Sequence, residues 1–176
     1  MPGFETASIM LGKHIDHVCD ATKRLPFAND TFELIYASHI LEHAAWYQTE
    51  EVLKEWVRIL SPGGALEIWV PDGIKICAAF VDAELTGSDP LLYDPWKKFN
   101  EERDPCRWAN GRIFTYGDGT GELNDPNWHR TLFSPRYLIK VMERAGLECI
   151  RRMERSEVRG LDHGWINLGM HGTKPK

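Results

Sequence analysis

Two short, largely apolar runs, Phe32 to Ala37 and Ala65 to Val70, are each bounded by polar or turn-forming residues. Runs of this kind suit strands covered on both faces. Between them Val52, Leu53, Trp56, Val57 and Leu60 recur at helical spacing, which predicts a helix. Thr49 is the expected cap, and Glu50 and Glu51 suit the positive end of the helix dipole. Pro62, Gly63 and Gly64 then stop the helix. Strand, helix and strand in that order form a crossover unit, which implies parallel pairing with a right-handed connection. A doubly wound α/β sheet is the natural home.

The helical rhythm returns after Ser134 and Pro135, a cap and first helical position, with Leu138, Val141, Met142 and Ala145 on one face and Gly146 as terminator. Two further strands are expected over Leu147 to Met153 and Trp165 to His171, joined by a charged connection that turns them antiparallel. Residues 87–133 are rich in Pro, Gly, Asp and aromatics, with a short helix expected over Pro95 to Arg103. A segment this long inside a compact domain suggests a lid or a substrate-side insertion. No internal repeat or low-complexity tract occurs.

Composition narrows the picture. A chain of 176 residues with 43% hydrophobic content supports one sizeable core, so residues 1–176 are read as a single domain. The 21 basic and 26 acidic residues are mixed along the chain, which argues against capture of nucleic acid or an anionic membrane. Cys19, Cys77, Cys106 and Cys149 form no C-x-x-C pair, so reduced thiols in a cytoplasm are expected. No apolar run approaches the roughly 20 residues that cross a bilayer, and the first residues lack the pattern of a secretion signal.

The stretch Leu25 to His43, with its Leu-Pro-Phe start and Ser38-His39-Ile40-Leu41-Glu42-His43 end, closely resembles the central signature of small class I S-adenosylmethionine-dependent methyltransferases of the type 11 group. Leu53 to Asp72 is similar to the same family's helix, Pro-Gly-Gly turn and fifth strand. Trp128-His129-Arg130, Phe133-Ser134 and the Ala145-Gly146-Leu147 helix end resemble its late substrate-side segment. The resemblance runs from about Pro2 to Thr173 and implies a Rossmann-like sheet, mostly parallel, with antiparallel closing strands.

In such sheets ligands bind beyond the carboxyl ends of the strands. Asp20 and Ala21 end an expected strand over Ile15 to Cys19; by resemblance Asp20 accepts from the adenine amino group and Ala21 lies near the ring. Ser38 and His39 follow the Phe32 strand, where the family lines the methionine part of the cofactor and the transfer site. His39 is the candidate catalytic residue, either as a general base or as a side chain that shapes the pocket. Asp72 ends the fifth strand and is expected to face the acceptor. Trp96, Trp108 and His129 are further substrate-side candidates, with surface packing the competing account of His129.

Two family features are missing. The first strand with its glycine-rich loop should precede Pro2-Gly3-Phe4, and Met1 stands there instead. Gly117, Gly119 and Gly121 match a G-x-G pattern in the wrong place. Ser8 occupies the position of the acid that binds the cofactor ribose, and a neutral hydroxyl for a carboxylate costs on the order of 1–2 kcal/mol. This chain alone is therefore expected to bind S-adenosylmethionine weakly or not at all. The absent strand should also leave Phe32 to Ala37 with an open edge. Either Glu5 to Leu11 moves in to pair there, or a homo-oligomer covers it.

His39-x-x-Glu42-His43 formally matches an inverted zinc-protease motif, but the methyltransferase signature already explains these residues, and no metal is expected. Glu42 and His43 are expected to orient the helix start. The function expected is methyl transfer to a small-molecule or glycan-type acceptor. The alternative is a degenerate, non-catalytic methyltransferase-like module for binding or assembly.

Overall fold

The computed structural model describes residues 3–92, 94, 99–114, 122 and 125–176. Its main sheet has four strands: β3 (Phe32–Ser38), β4 (Leu60–Pro71), β5 (Glu148–Met153) and β6 (Asn167–Thr173), in the order β3-β4-β6-β5. β3 and β4 run parallel, with Tyr36 opposite Glu67 and Ser38 opposite Trp69. β6 is antiparallel to both of its neighbours. The crossover between β3 and β4 is helix α1 (Thr49–Ile59), and α2 (Gly73–Thr86), α3 (Pro105–Phe114) and α4 (Pro135–Arg144) complete the helices.

The apolar periodicities explain where the core forms. Val52, Leu53, Trp56 and Ile59 of α1 and Leu138, Val141 and Met142 of α4 pack on Leu66, Ile68 and Val70 of β4. Ser134 caps α4 as expected, its hydroxyl accepting from the Tyr137 amide at 3.2 Å, and Gly146 leaves the helix at φ 96°. Thr49 does not cap α1. It is the first helical residue, and its hydroxyl contacts Trp46 O and the Tyr137 hydroxyl, joining α1 to α4.

β4 is longer than the apolar run suggests because it begins at Leu60, directly after α1. The Pro62-Gly63-Gly64 segment is a bulge within the strand. Phe32 pairs with Leu60 and Leu34 with Ala65, so the four residues Ser61 to Gly64 stand opposite the single residue Glu33. Gly63 has φ +78°, and a Cβ on Gly64 would sit 2.8 Å from Ser61 O, so neither position suits a side chain.

A separate two-stranded ribbon pairs β1 (Ala7–Ser8) in parallel with β2 (His17–Val18). The strand expected over Ile15 to Cys19 is thus reduced to two residues. Glu5 to Leu11 does not pair with β3; Ala7 and Ser8 pair with His17 and Val18 instead. Among the described residues no strand covers the outer edge of β3. A cavity of about 160 Å³ lies there, lined by four consecutive residues, Leu34 to Ala37, together with Ala7, His17 and Phe27. A strand face contributes every second residue, so four in a row mark an edge.

The short helix expected over Pro95 to Arg103 does not form in the part that is described. Phe99 and Arg103 have φ 58° and 61°, outside the helical region, and residues 95–98 lie outside the described residues. The helix of this region is α3, which begins at Pro105 and packs on α2 over Ile76 and Trp108 in a second, smaller apolar cluster.

Candidate functional site

The carboxyl ends of β1, β2 and β3 point into one cleft of about 370 Å³. Ser8, Asp20, Ala21, Ser38 and His39 all line it, joined by His43, Asn127 and Arg130. Each is held by its local chain. The Ser8 hydroxyl accepts from the Met10 amide at 3.1 Å, and Ser8 O accepts from the Cys19 amide at 2.9 Å, which ties the two strand ends together. Asp20 Oδ1 accepts from the amide and hydroxyl of Thr22, at 2.8 and 2.7 Å. Trp56, buried in α1, donates its indole N–H to Ala21 O at 2.8 Å and fixes that turn against the helix.

His39 follows β3 with φ +55°, a conformation that a side chain of this size rarely adopts. Its amide donates to Trp69 O at 2.8 Å, which holds the kink to β4. The ring is almost wholly buried. Its Nε2 lies 3.0 Å from Asn167 Oδ1, and the Asn167 amide nitrogen donates to Asp162 Oδ1, so the amide presents its oxygen to the ring. Its Nδ1 lies 3.1 Å from Glu42 Oε1. Both ring nitrogens therefore lie within about 3 Å of a side-chain oxygen. His163 packs on the ring with centroids 3.8 Å apart.

Behind His39 stands a polar cluster that the sequence did not assemble. Glu42 is fully buried in the one-turn helix Leu41–His43. Its carbonyl accepts from the amides of Arg130 and Thr131, at 2.7 and 3.1 Å, and this docks His129 beside it. Burial pushes the Glu42 carboxyl up, but the hydrogen bond and charge of His39, with the fields of His129 and His43, outweigh it and hold the group below its usual range. Burial lowers His129 to about 4, against the opposing pull of Glu42. His163 is likewise lowered to about 4, first by burial and then by His39. The signal that could have found this cluster is the Trp128-His129-Arg130 triplet, whose histidine is buried rather than a loop ornament.

The remaining substrate-side candidates fare differently. Asp72 does not open onto the cleft. It is 2% exposed and caps α2, with Oδ1 accepting from the Ile74 and Lys75 amides at 3.1 and 3.4 Å, while Oδ2 faces Arg152. Trp108 is a core residue of α3, fully buried, stacked on Trp165 and donating to Asp94 Oδ2 at 3.1 Å. Its apolar bulk went into packing, as tryptophan's large surface favours. Trp96 and the Gly117 to Gly121 pattern lie outside the described residues. Among the described residues no helix is long and apolar enough to cross a membrane.

Residues 5–68 match the family model described as a methyltransferase domain. No curated protein matches the chain. Among solved structures, a possible exported protein from Bordetella parapertussis superposes with a TM-score of 0.52 at 17% identity, over 93% of this chain and 45% of that one. A SAM-dependent methyltransferase from Thermotoga maritima, a possible histamine N-methyltransferase, gives 0.45 at 20% identity, over 88% of this chain and 61% of that one. A SAM-dependent methyltransferase from Archaeoglobus fulgidus gives 0.49 at 13% identity, over 92% and 68%. The chain thus spans less than two thirds of the first two. The matched segment carries β1, β2, β3, α1 and most of β4, so it is this part of the α/β chain that is similar to a methyltransferase domain.

Proposed function

We propose that the cleft between Ser8 and Ser38 binds S-adenosylmethionine and that the chain directs methyl transfer to a small-molecule or glycan-type acceptor. The observation that carries this reading is convergence. Ser8, Asp20, Ala21, Ser38 and His39 come from three strand ends far apart in sequence, and all five meet in one cleft inside the matched segment.

The donor set fits the cofactor. A volume of about 370 Å³ falls in the roughly 300–1,000 Å³ range of small-molecule sites. Asp20 has one oxygen committed to Thr22 and a second for an amino group, and the Ser8 hydroxyl can meet a ribose. S-adenosylmethionine, when bound, supplies a methyl group on a sulfonium that is already an excellent leaving group. The chain's own task is then alignment more than proton transfer. Ser38 and the rigidly held His39 form the wall at the transfer point, and the buried Glu42 fixes His39. Arg130, His43 and Asn127 also line the cleft and are the side chains we assign to the acceptor.

Isothermal titration of the full chain with S-adenosylhomocysteine tests the reading. Saturable binding that Asp20→Ala weakens at least tenfold is the expected result, with a dissociation constant well above micromolar because Ser8 is neutral. Radiolabel transfer from S-adenosylmethionine to a panel of hydroxylated and amine acceptors then tests the chemistry. No saturable heat at millimolar cofactor would favour the second reading, a methyltransferase-like module for assembly, which the neutral Ser8 and the open β3 edge support. In either case a second copy covering the edge of β3 would give a dimer mass by light scattering.

A further inference from the structure

We propose that Glu42, His43 and His129 hold one divalent transition-metal ion of the zinc class at the wall of the cleft. One ligand atom from each of the three lies within 4.8 Å of the other two. Bonds of about 2.0–2.2 Å to such an ion put tetrahedral ligand atoms roughly 3.4 Å apart, so each side chain needs to swing inward by less than about 1 Å. Two imidazoles and one carboxylate leave a coordination position open, the pattern of catalytic rather than structural ions.

The outer shell of such a site is already built. Metal-binding histidines donate their second ring nitrogen to a carbonyl or carboxylate, which fixes the ring and its tautomer. His43 Nδ1 lies 3.3 Å from Trp128 O. The His129 ring packs edge-on against the His43 ring, with centroids 5.1 Å apart. Glu42 is oriented by His39 at 3.1 Å. Each candidate ligand thus has a polar or aromatic neighbour packed beside it. Burial adds to this, because Glu42 is a fully buried carboxylate and His129 is 8% exposed, whereas His43 reaches the cleft. Because His43 lines the cleft, an ion held here would lie beside it and could take a water as a further ligand and lower its pKa. This ligand set differs from the His39-x-x-Glu42-His43 pattern of the sequence, since His39 serves as outer partner and His129 replaces it.

The test uses the full chain stripped with a chelator, dialysed and titrated with Zn(II), with Co(II) as a spectroscopic reporter. The expected result is one equivalent per chain and a Co(II) spectrum free of thiolate charge-transfer bands. His43→Ala, at the exposed side of the site, and His129→Gln should each weaken binding by about 10–100-fold or more. A His14→Ala/His17→Ala control should bind as the parent does. The proposal is overturned by absence of a stoichiometric equivalent, by thiolate bands, or by binding that survives both ligand substitutions. None of these readouts depends on methyl transfer, so the site can fail while the cofactor reading stands.

Discussion

His39 Nδ1 lies 3.1 Å from Glu42 Oε1, with both side chains almost wholly excluded from solvent. A buried pair of this kind gains little from existing, but breaking it is costly because the surviving partner keeps its desolvation penalty. Glu42→Gln preserves the shape and removes the charge. It should destabilise the protein by about 3 kcal/mol, read as a lower urea midpoint at pH 7.5. A His39→Gln/Glu42→Gln double variant should cost less than the sum of the two single ones.

His129 predicts an acid-sensitive fold in chelator-treated protein. Its pKa is about 4 in the fold, against an ordinary 6.5, so between these values the unfolded chain holds the extra proton. Stability is then full above pH 6.5 and is lost as pH falls. The loss from this residue at pH 5 relative to pH 7.5 should be roughly 2 kcal/mol. Urea unfolding across that interval measures it, and His129→Gln should flatten the dependence.

Trp56 links the core to the cleft through Ala21 O. Trp56→Phe leaves that carbonyl short of a donor and leaves a void against α1, at a cost of about 1–3 kcal/mol. The Asp20-Ala21 turn should loosen with it. Cofactor affinity is expected to fall several-fold in titrations at a temperature where the variant remains folded, with Asp20 itself untouched.

The parts of this fold that were legible are those in which one local signal decides the outcome. Phe32 to Ala37, Val52 to Ile59 and the Ser134-Pro135 start bury a face set by period, and tertiary packing agrees with them. The Ser8 to Ser38 cleft was nameable because strand ends in an open sheet converge. The misses share another cause. Trp108 was read from its loop-rich neighbourhood, although an indole with a partner in Asp94 can be buried outright. Asp72 was read from its position at a strand end, but the same residue starts α2, and the two free amides of the first turn claimed its carboxylate. The Glu42 and His129 cluster joins residues 87 positions apart through main-chain bonds from Arg130 and Thr131 to Glu42 O, and no periodicity reports that docking.

Asp72 therefore predicts a stability effect without a binding effect. Asp72→Ala removes the cap of α2 and should cost about 1–2 kcal/mol, while Asp72→Asn retains an oxygen for Ile74 and Lys75. The half-exposed Arg152 adds little to either value. Urea unfolding should separate the two variants by about 1 kcal/mol, and S-adenosylhomocysteine titrations should not, because Asp72 stands away from the cleft.

The tightest sequence constraint in the sheet lies at Gly169, opposite Trp69 in the β4–β6 ladder. A Cβ there would lie 2.5 Å from the Trp69 ring, whose edge covers the glycine on three atoms. Trp69 is 2% exposed and held between β3 and β6, so its ring has no open direction in which to turn. Gly169→Ala should thus force the strands apart rather than a side chain aside, at about 1–3 kcal/mol. The strain should spread along β4 to His39, whose amide is bonded to Trp69 O. Hydrogen exchange at the His39 amide is the sensitive measurement. Faster exchange there in Gly169→Ala, at a distance from the substitution, is the expected outcome, and an unchanged rate would mean that the strand absorbs the methyl locally.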